Sequence, residues 1–457
     1  MTDFASLPLP STLLQAVQVL GYTQMTPVQA ASLPPMLEGR DVIAQAKTGS
    51  GKTAAFGLAL LSKLDAAAIA TQALVLCPTR ELADQVSKEL RRLASAIPNV
   101  KVLTLCGGIP LGPQVASLAH APHVVVGTPG RILDLLAKKA LALQTLQVLV
   151  LDEADRMLDM GFEEAIDAIV KHVPKQRQTL LFSATWPEPI RAISGRLQRE
   201  PVSVTIDDAH GDAVIEQHFF EVETPRKVDA LALLLATHKP ESALVFCNTR
   251  RDVDDVAGQL VQRGHAALAL HGDMEQRDRD EVLLRFANRS CSVLVATDVA
   301  ARGLDIKELP AVVSFELATD ADAHLHRIGR TGRAGNSGLA LSLVASRETG
   351  RVAAIESGLR MQARWGRVDL SQRVPRPLPP AMVTLAIDGG RQDKLRPGDI
   401  VGALTGEAGL KADAIGKIDT FATRSYVAVL REHAPRALER LRAGKIKGRN
   451  FRVRKID

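Results

Sequence analysis

Short, continuous apolar runs alternate with helix-length amphipathic stretches along most of the chain. In the first two hundred residues the runs are "DVIAQA", "ALVLC", "VLTLC", "HVVVGT", "VLVLDE" and "TLLFSAT". Runs that do not alternate apolar with polar predict parallel strands buried on both faces, and the intervening helices supply the crossovers. The rhythm fades over 199–212, where a linker is expected. It resumes with "SALVFCN", "AALALHG", "CSVLVATD", "AVVSFE" and "GLALSLV". Two tandem α/β parallel-sheet domains of similar size are predicted, over 1–205 and 206–365. "RVPRPLPP" at 373–380 carries four prolines and predicts a semi-rigid spacer within 366–380. The remainder, 381–457, reads strand, helix, strand, strand, helix, strand. That order is the split βαβ arrangement of a small α+β, RRM-like domain.

The final stretch, "GKIKGRNFRVRKI" at 444–456, is predicted as a strand with Phe451 and Val453 on one face and Arg452 and Arg454 on the other. Its charges could protect a sheet edge from stray pairing. They could equally form one wall of a site for an anionic polymer, and the tail alone leaves both readings open.

Composition narrows the choice. The 457 residues, 46% hydrophobic and 24% charged, suffice for two to three globular domains. The opening "MTDFASLPLPSTLLQAV" lacks the basic region of a signal peptide, and the apolar runs are strand-length rather than membrane-length. Cys77, Cys106, Cys247 and Cys291 are scattered without a CxxC pair, so buried reduced thiols and a cytoplasmic location are expected. The net charge of +6 is uneven: 381–457 holds 16 Lys and Arg against 9 Asp and Glu, while the rest holds 41 against 42. A basic excess confined to the end of the chain points to nucleic acid or another polyanion.

"AKTGSGKT" at 46–53 follows an apolar run and opens a helical one. Gly49 and Gly51 let backbone N–H groups approach phosphate, and the helix N-terminus adds positive partial charge. Lys52 is placed to reach the terminal phosphates, and the Thr53 hydroxyl to bind Mg²⁺. Lys47, Thr48 and Ser50 complete the candidate cradle. About one hundred residues on, "VLVLDEAD" ends a strand in acids. Asp152 is placed to hold Mg²⁺, directly or through water, and Glu153 to orient and deprotonate an attacking water. The second domain has no GK[ST] loop, so a second nucleotide site of this kind is not expected.

Asp152–Asp155 spells D-E-A-D, and the chain resembles the DEAD-box RNA helicases over roughly residues 1–350. The matching motifs run in family order: "GYTQMTPVQ" at 21–29, "AKTGSGKT", "PTRELA" at 78–83, "GG" at 107–108, "TPGR" at 128–131, "DEAD", and "SAT" at 183–185. "VFCNT" at 245–249, "QRDR" at 276–279, "ATDVAARGLD" at 296–305 and "HRIGRTGRAG" at 326–335 follow. The resemblance implies two RecA-like domains, an RNA-dependent ATPase, and ATP with Mg²⁺. Gln29 resembles the family's adenine-reading glutamine, a group able to donate and accept at once. Tyr22 and Phe4 match neighbouring aromatics, with Tyr22 the candidate to pack at the base; either could instead fill core. Arg330 and Arg333 resemble the arginine fingers that stabilise the transferring phosphoryl. Asp305 resembles the residue that contacts the nucleotide sugar. His326 and Ser183–Thr185 are expected to couple the nucleotide site to the domain interface.

For RNA, the resemblance implies contacts from Pro78, Thr79, Arg80, Gly108, Thr128, Gly130 and Arg131. Arg250, Gln276, Arg279, Thr297 and Asp298 are the counterparts in the second domain. Contacts of this kind go to phosphate and sugar and hold a strand without reading sequence. The C-terminal segment resembles the RNA-binding domain of the DbpA group, which implies a hairpin of large-subunit ribosomal RNA and pre-ribosomal particles as partners. Lys445, Lys447, Arg449, Arg452 and Arg454 are the candidates there, with Lys417 and Arg424 as further ones. Of the two predicted central strands only "RSYVAVL" offers an aromatic, Tyr426, so stacking on a sheet platform is doubtful, and charge and loop shape are expected to contribute more. Two rival readings stand beside this one: an ATP-gated RNA clamp, and a general RNA helicase whose tail adds only non-specific affinity.

Overall fold

Successive side chains of a central strand enter two different cores: Ala73 and Val75 join one apolar cluster, Leu74 and Leu76 another. Val148 and Val150 divide from Leu149 and Leu151 in the same way. Unbroken apolar runs are required where both faces of a sheet are covered. The computed structural model describes residues 3–46, 49–186, 188–206, 215–301, 309–332, 337–372, 375–407 and 409–456. The chain divides into two compact units, one holding the first sheet and the other holding two further sheets.

The first sheet contains β1 (Val42–Gln45), β2 (Ala73–Leu76), β3 (Val102–Leu105), β4 (Val124–Gly127), β5 (Val148–Leu151), β6 (Gln178–Ser183) and β7 (Val202–Thr205). All pairings are parallel, in the order β3-β4-β2-β5-β6-β1-β7. Helices cover both faces. Arg80–Leu93 shows why such a segment is helical: Leu82, Ala83, Val86, Leu90 and Leu93 form one buried stripe. Thr79 caps it by accepting from the Leu82 N–H at 3.3 Å. Glu81 in its first turn and Arg91 and Arg92 in its last suit the helix dipole.

The second unit begins with β8 (Ile215–Glu221), β9 (Ala243–Cys247), β10 (Ala267–Leu270), β11 (Val293–Thr297), β12 (Ala311–Ser314), β13 (Gly338–Val344) and β14 (Trp365–Gly366). These also form a parallel sheet, in the order β10-β11-β9-β12-β13-β8-β14. The third sheet is antiparallel, β16-β17-β15-β18, from β15 (Met382–Ile387), β16 (Ile415–Thr420), β17 (Ser425–Leu430) and β18 (Val453–Ile456). Val383, Leu385, Ile387, Val427, Val429 and Val453 pack with Ile400, Ala437 and Leu441 of two helices. The other face turns toward helix Gln276–Ala287, where Leu284, Ala386 and Tyr426 form a small cluster with Ile456 against it. Fully buried Thr384 adds a polar link, its Oγ1 lying 2.7 Å from Ser290 Oγ. The third domain is therefore seated on the second.

Three expectations need correcting. The linker read over 199–212 starts too early, because Val202–Thr205 is β7 and pairs with β1. It is a half-exposed edge strand of four residues, so its apolar signal is weak. β8 was not foreseen, because "IEQHFFE" is mostly polar; its pairing with β13 over seven residues overrides that composition. The tail is a strand only over Val453–Ile456, at the sheet edge. Before it, Ile446 and Arg449 exchange backbone hydrogen bonds of 2.8 and 3.1 Å around Lys447 and Gly448, both at positive φ.

All four cysteines are buried free thiols. Among the described residues no helix is long and apolar enough to cross a membrane.

Candidate functional site

In the first sheet every candidate residue past the P-loop follows the carboxyl end of a parallel strand, the edge at which open α/β sheets hold ligands. β1 leads into the glycine-rich turn, β5 into Asp152–Asp155, and β6 ends at Ser183. β2, β3 and β4 lead into residues 78–80, 107–109 and 128–131. In the strand order these form two neighbouring groups, β5-β6-β1 and β3-β4-β2.

Gly51 carries φ of +97°, and a Cβ there would meet Gln29 Nε2 at 2.6 Å and Thr26 Oγ1 at 2.9 Å. Only glycine satisfies both the backbone and the contact. Gln29 Nε2 donates to the Gly51 carbonyl at 3.1 Å. Its Oε1 accepts from the Thr26 N–H at 2.9 Å, closing a capping box at the start of helix Pro27–Leu37. The carboxamide read as the adenine probe is thus tied to the phosphate turn. Lys52 opens helix Lys52–Leu61, is buried, and donates from Nζ to the Ala46 carbonyl at 2.7 Å. Ser50 Oγ is buried with no hydrogen-bond partner among the described residues, a donor suited to a phosphate oxygen. Tyr22 is anchored elsewhere: its hydroxyl donates to the Glu89 carboxylate and its ring stacks near Phe4, centroids 6.5 Å apart. Burial, and then Glu89, push its hydroxyl up to about 12.

Asp152 and Glu153 are both buried. Burial raises the Asp152 carboxyl from the usual 3.8 to about 7, with nearby Lys52 opposing the rise and Glu153 adding to it. Glu153 takes the left-handed conformation, φ 51°, rare for a residue with a Cβ and a form of strain that concentrates at functional sites. Its carboxylate lies 3.4 Å from the buried Arg156 guanidinium. Asp155, to which the sequence reading gave no role, accepts at Oδ2 from the Ala184 N–H (3.1 Å), the Thr185 N–H (3.0 Å) and the Thr185 hydroxyl (3.1 Å). The DEAD turn and the SAT segment are thereby one hydrogen-bonded unit.

The other group of loops is also braced. Gly107 N–H donates to Thr128 Oγ1 at 3.3 Å, and Arg131 donates to the Ile109 carbonyl at 3.0 Å. Gly108 and Gly130 are exposed, and a Cβ at Gly130 would meet open space. Pro78 and Thr79 are buried, and Arg80 is half-buried at the start of its helix.

In the second unit, Asp298 accepts two hydrogen bonds from Arg327, at 2.8 Å from Nε and 2.6 Å from Nη2. Arg327 is 1% exposed, also donates to Asn248 Oδ1 at 2.8 Å, and lies over the Phe246 ring at 5.1 Å. The sequence reading missed this organiser, although it lies inside "HRIGR". Thr297 Oγ1 accepts from the Ala300 N–H at 3.3 Å. Arg250 pairs with Asp273, Gln276 donates to Asp280 at 2.8 Å, and Arg279 donates to the His271 carbonyl at 3.3 Å. Arg330 is buried, and its carbonyl accepts from Leu309 N–H at 3.1 Å. Lys47, Thr48, Asp305 and Arg333 lie outside the described residues.

In the third domain Lys445, Arg449 and Arg452 are exposed, and Arg454 is half-buried opposite Ala386. Lys447 donates to the Lys394 carbonyl at 2.7 Å and lies 3.3 Å from Asp399. Lys417 pairs with Asp419 at 3.1 Å and Arg424 with Asp388 at 3.0 Å. Tyr426, 8% exposed, sits against Leu284 rather than on an open platform.

Residues 26–193 match the DEAD/DEAH box helicase family, 226–335 the helicase conserved C-terminal domain, and 384–455 the DbpA RNA binding domain. The chain is 56% identical over 455 residues to the ATP-dependent RNA helicase DbpA of Escherichia coli, covering 99% of each. It is 47% identical over 357 residues to the DEAD-box ATP-dependent RNA helicase CshA of Bacillus cereus, covering 78% of this chain and 68% of that one. Among solved structures, Saccharomyces cerevisiae Dbp5 bound to RNA and ADP BeF3 matches with a TM-score of 0.73 at 29% identity, over 81% of this chain and 96% of that one.

The raised Asp152 carboxyl has a measurable consequence in the nucleotide-free, metal-free protein. Between 3.8 and about 7 the unfolded chain releases this proton while the folded chain keeps it, so rising pH removes stability across that window. Asp152→Asn should therefore melt at least about 3 °C above the parent at pH 8, as expected from relief of about 1 kcal/mol or more. The gap should narrow toward pH 5 in thermal scans. An equal melting temperature at pH 8, or a gap independent of pH, would contradict the burial argument.

Proposed function

The chain belongs to the DEAD-box ATP-dependent RNA helicases, in their DbpA group, and from that premise we propose that it locally remodels ribosomal RNA during large-subunit assembly. It is an RNA-dependent ATPase that binds ATP and RNA. The observation that best supports one machine for both ligands is the shared carboxyl edge of β1–β7, with the nucleotide motifs on one side and the RNA motifs on the other.

In the proposed reaction, Gln29 reads adenine, and the cradle of Lys47, Thr48, Gly49, Ser50, Gly51 and Lys52 holds the phosphates. Phosphate oxygens take over the Lys52 ammonium from the Ala46 carbonyl. Glu153 takes a proton from the attacking water, helped by a fixed backbone that aims its carboxylate. Arg330 and Arg333 stabilise charge on the transferring phosphoryl, an effect worth about 10³–10⁵ in rate in other P-loop enzymes. The donor set fits Mg²⁺: oxygen ligands from the Thr53 hydroxyl and from an Asp152 carboxylate whose burial disfavours its charge until a cation is present. Bound with ATP, the ion neutralises phosphate charge. Asp305 engages the sugar. Tyr22 supports the base side from its anchor on Glu89.

RNA is held by Pro78, Thr79, Arg80, Gly108, Thr128, Gly130 and Arg131 in one domain and by Arg250, Gln276, Arg279, Thr297 and Asp298 in the other. ATP and RNA each favour a closed arrangement, closure bends a strand, and hydrolysis resets it. Asp298 acts through the geometry that Arg327 imposes on it. Targeting to an rRNA hairpin on pre-ribosomal particles in the cytoplasm falls to the third domain, through Lys445, Arg449, Arg452 and Arg454, with Lys447 shaping the turn.

Two outcomes follow. Glu153→Gln should keep ATP and RNA affinity within about threefold of the parent while multiple-turnover hydrolysis falls by at least about 10²-fold, in the range for loss of a general base. Near-normal turnover would refute that role. Deleting 381–457 should erase the difference in ATPase stimulation between a ribosomal fragment carrying the hairpin and the same fragment without it. If the intact chain shows no such difference, the targeting proposal fails and a general helicase remains.

A further inference from the structure

A cleft of about 440 Å³ lies at the seam where the third domain is seated on the second, within the range of about 300–1,000 Å³ typical of small-ligand sites. One wall is helix Gln276–Ala287, which presents Arg277, Glu281 and Leu284 at the i, i+4, i+7 spacing of a single face, with Asp280 beside them. The other is the turn between β16 and β17, with Phe421, Thr423 and Arg424, together with Tyr426 of β17. Phe421 and Tyr426 meet edge to face, centroids 5.7 Å apart at 86°. Tyr426 is buried by the seam, but Phe421 remains 42% exposed, a large apolar ring left partly in water.

The lining chemistry selects among ligands. A simple phosphate groove would not carry the carboxylates of Asp280 and Glu281 beside its cations, and a purely apolar groove would not carry two arginines. Together an open ring, carboxylate acceptors and two guanidiniums, that of Arg424 shared with Asp388 at 3.0 Å, suit a group with a π face, N–H donors and an adjoining phosphate. We propose that this seam cleft binds one unstacked RNA nucleotide, its base on Phe421, its amino edge toward Glu281 and its phosphate toward Arg277 and Arg424. A carboxylate can accept from the exocyclic amino group of cytosine, which uracil lacks, so cytosine is favoured over uracil. The cleft supplies the base contact that the covered sheet face of the third domain does not, and it does so on the helix that begins with Gln276 and Arg279. The inference rests on RNA binding by the chain and is independent of hairpin targeting.

The test uses the full chain without nucleotide at fixed salt, with the octamers rC8 and rU8. Phe421→Trp adds an indole at the cleft to the two tryptophans already present, Trp186 and Trp365. Its added fluorescence should be quenched saturably by rC8, and at lower RNA concentration than by rU8. Phe421→Ala should bind rC8 about fivefold or more weakly, the lower bound for loss of one stacked base, while Phe421→Trp binds as the parent does. Glu281→Ala should bring rC8 affinity down to that of rU8. No quenching of the added indole, or unchanged rC8 binding by Phe421→Ala, would overturn the proposal, and equal affinity of the parent for both octamers would overturn the cytosine selection. Because these readouts need no ATP, failure of the parent to hydrolyse ATP with RNA would count against the helicase reading alone.

Discussion

The layout of the first sheet follows from one constraint: seven parallel strands, the central ones buried on both faces, all release their chain at the same edge. Parallel pairing forces a crossover after every strand, so the carboxyl ends converge on one rim while the faces stay closed by helices. The strand order then decides what meets what. With β1 beside β6 and β6 beside β5, the phosphate turn, the SAT segment and the DEAD turn are neighbours. With β2 beside β4 and β4 beside β3, three further loops gather next to them. The proposal that two ligands share this rim is supported by the sheet that carries it, a packed body that does not yield locally.

Buried charge turns that proximity into fixed geometry. Asp155 satisfies two backbone N–H groups and a hydroxyl of the SAT segment, so movement of one turn disturbs the other. In the second unit Arg327 does equivalent work, spending its guanidinium on Asp298, Asn248 and the Glu316 carbonyl. Neither group could be buried without such partners, since an unpaired internal charge is strongly disfavoured. The candidate ligand-contacting residues are thus held by neighbours to which the motifs assign no ligand contact. Asp152 differs in that burial raises its carboxyl to about 7, with only partial opposition from Lys52.

The architecture was legible in the sequence wherever burial was two-sided, because a strand-length unbroken run such as "VLVL" bounded by turn signals fits a strand covered on both faces, whereas the longer apolar run over 230–236 forms buried helix. Two strands near sheet margins escaped for the same reason: β7, at an edge, and β8, between β13 and the two-residue β14, are stabilised by pairing rather than by their own composition. The motifs located Gln29, Lys52, Asp152 and Glu153 by pattern, yet no pattern disclosed that Gln29 is bonded to Gly51 or that Glu153 sits at positive φ. Asp155 and Arg327 were hidden in plain motifs because their importance lies in what they hold. The tail looked like one long strand because alternation continues through a turn that only the positive φ of Lys447 and Gly448 betrays.

The third domain changes meaning once its seat is known. Its sheet face packs through Leu284, Ala386, Tyr426 and the Thr384–Ser290 contact onto the second domain, leaving turns and edges as its exposed chemistry. An RNA held there is held at a set place relative to Gln276 and Arg279. The central claim, that one rim couples nucleotide to RNA, is tested most directly by measuring single-stranded RNA affinity of the full chain with and without a non-hydrolysable ATP analogue. The account predicts at least about tenfold tighter RNA binding with the analogue, and tightening of the analogue by RNA by the same factor, as linkage requires. Equal RNA affinity in the two conditions would contradict it.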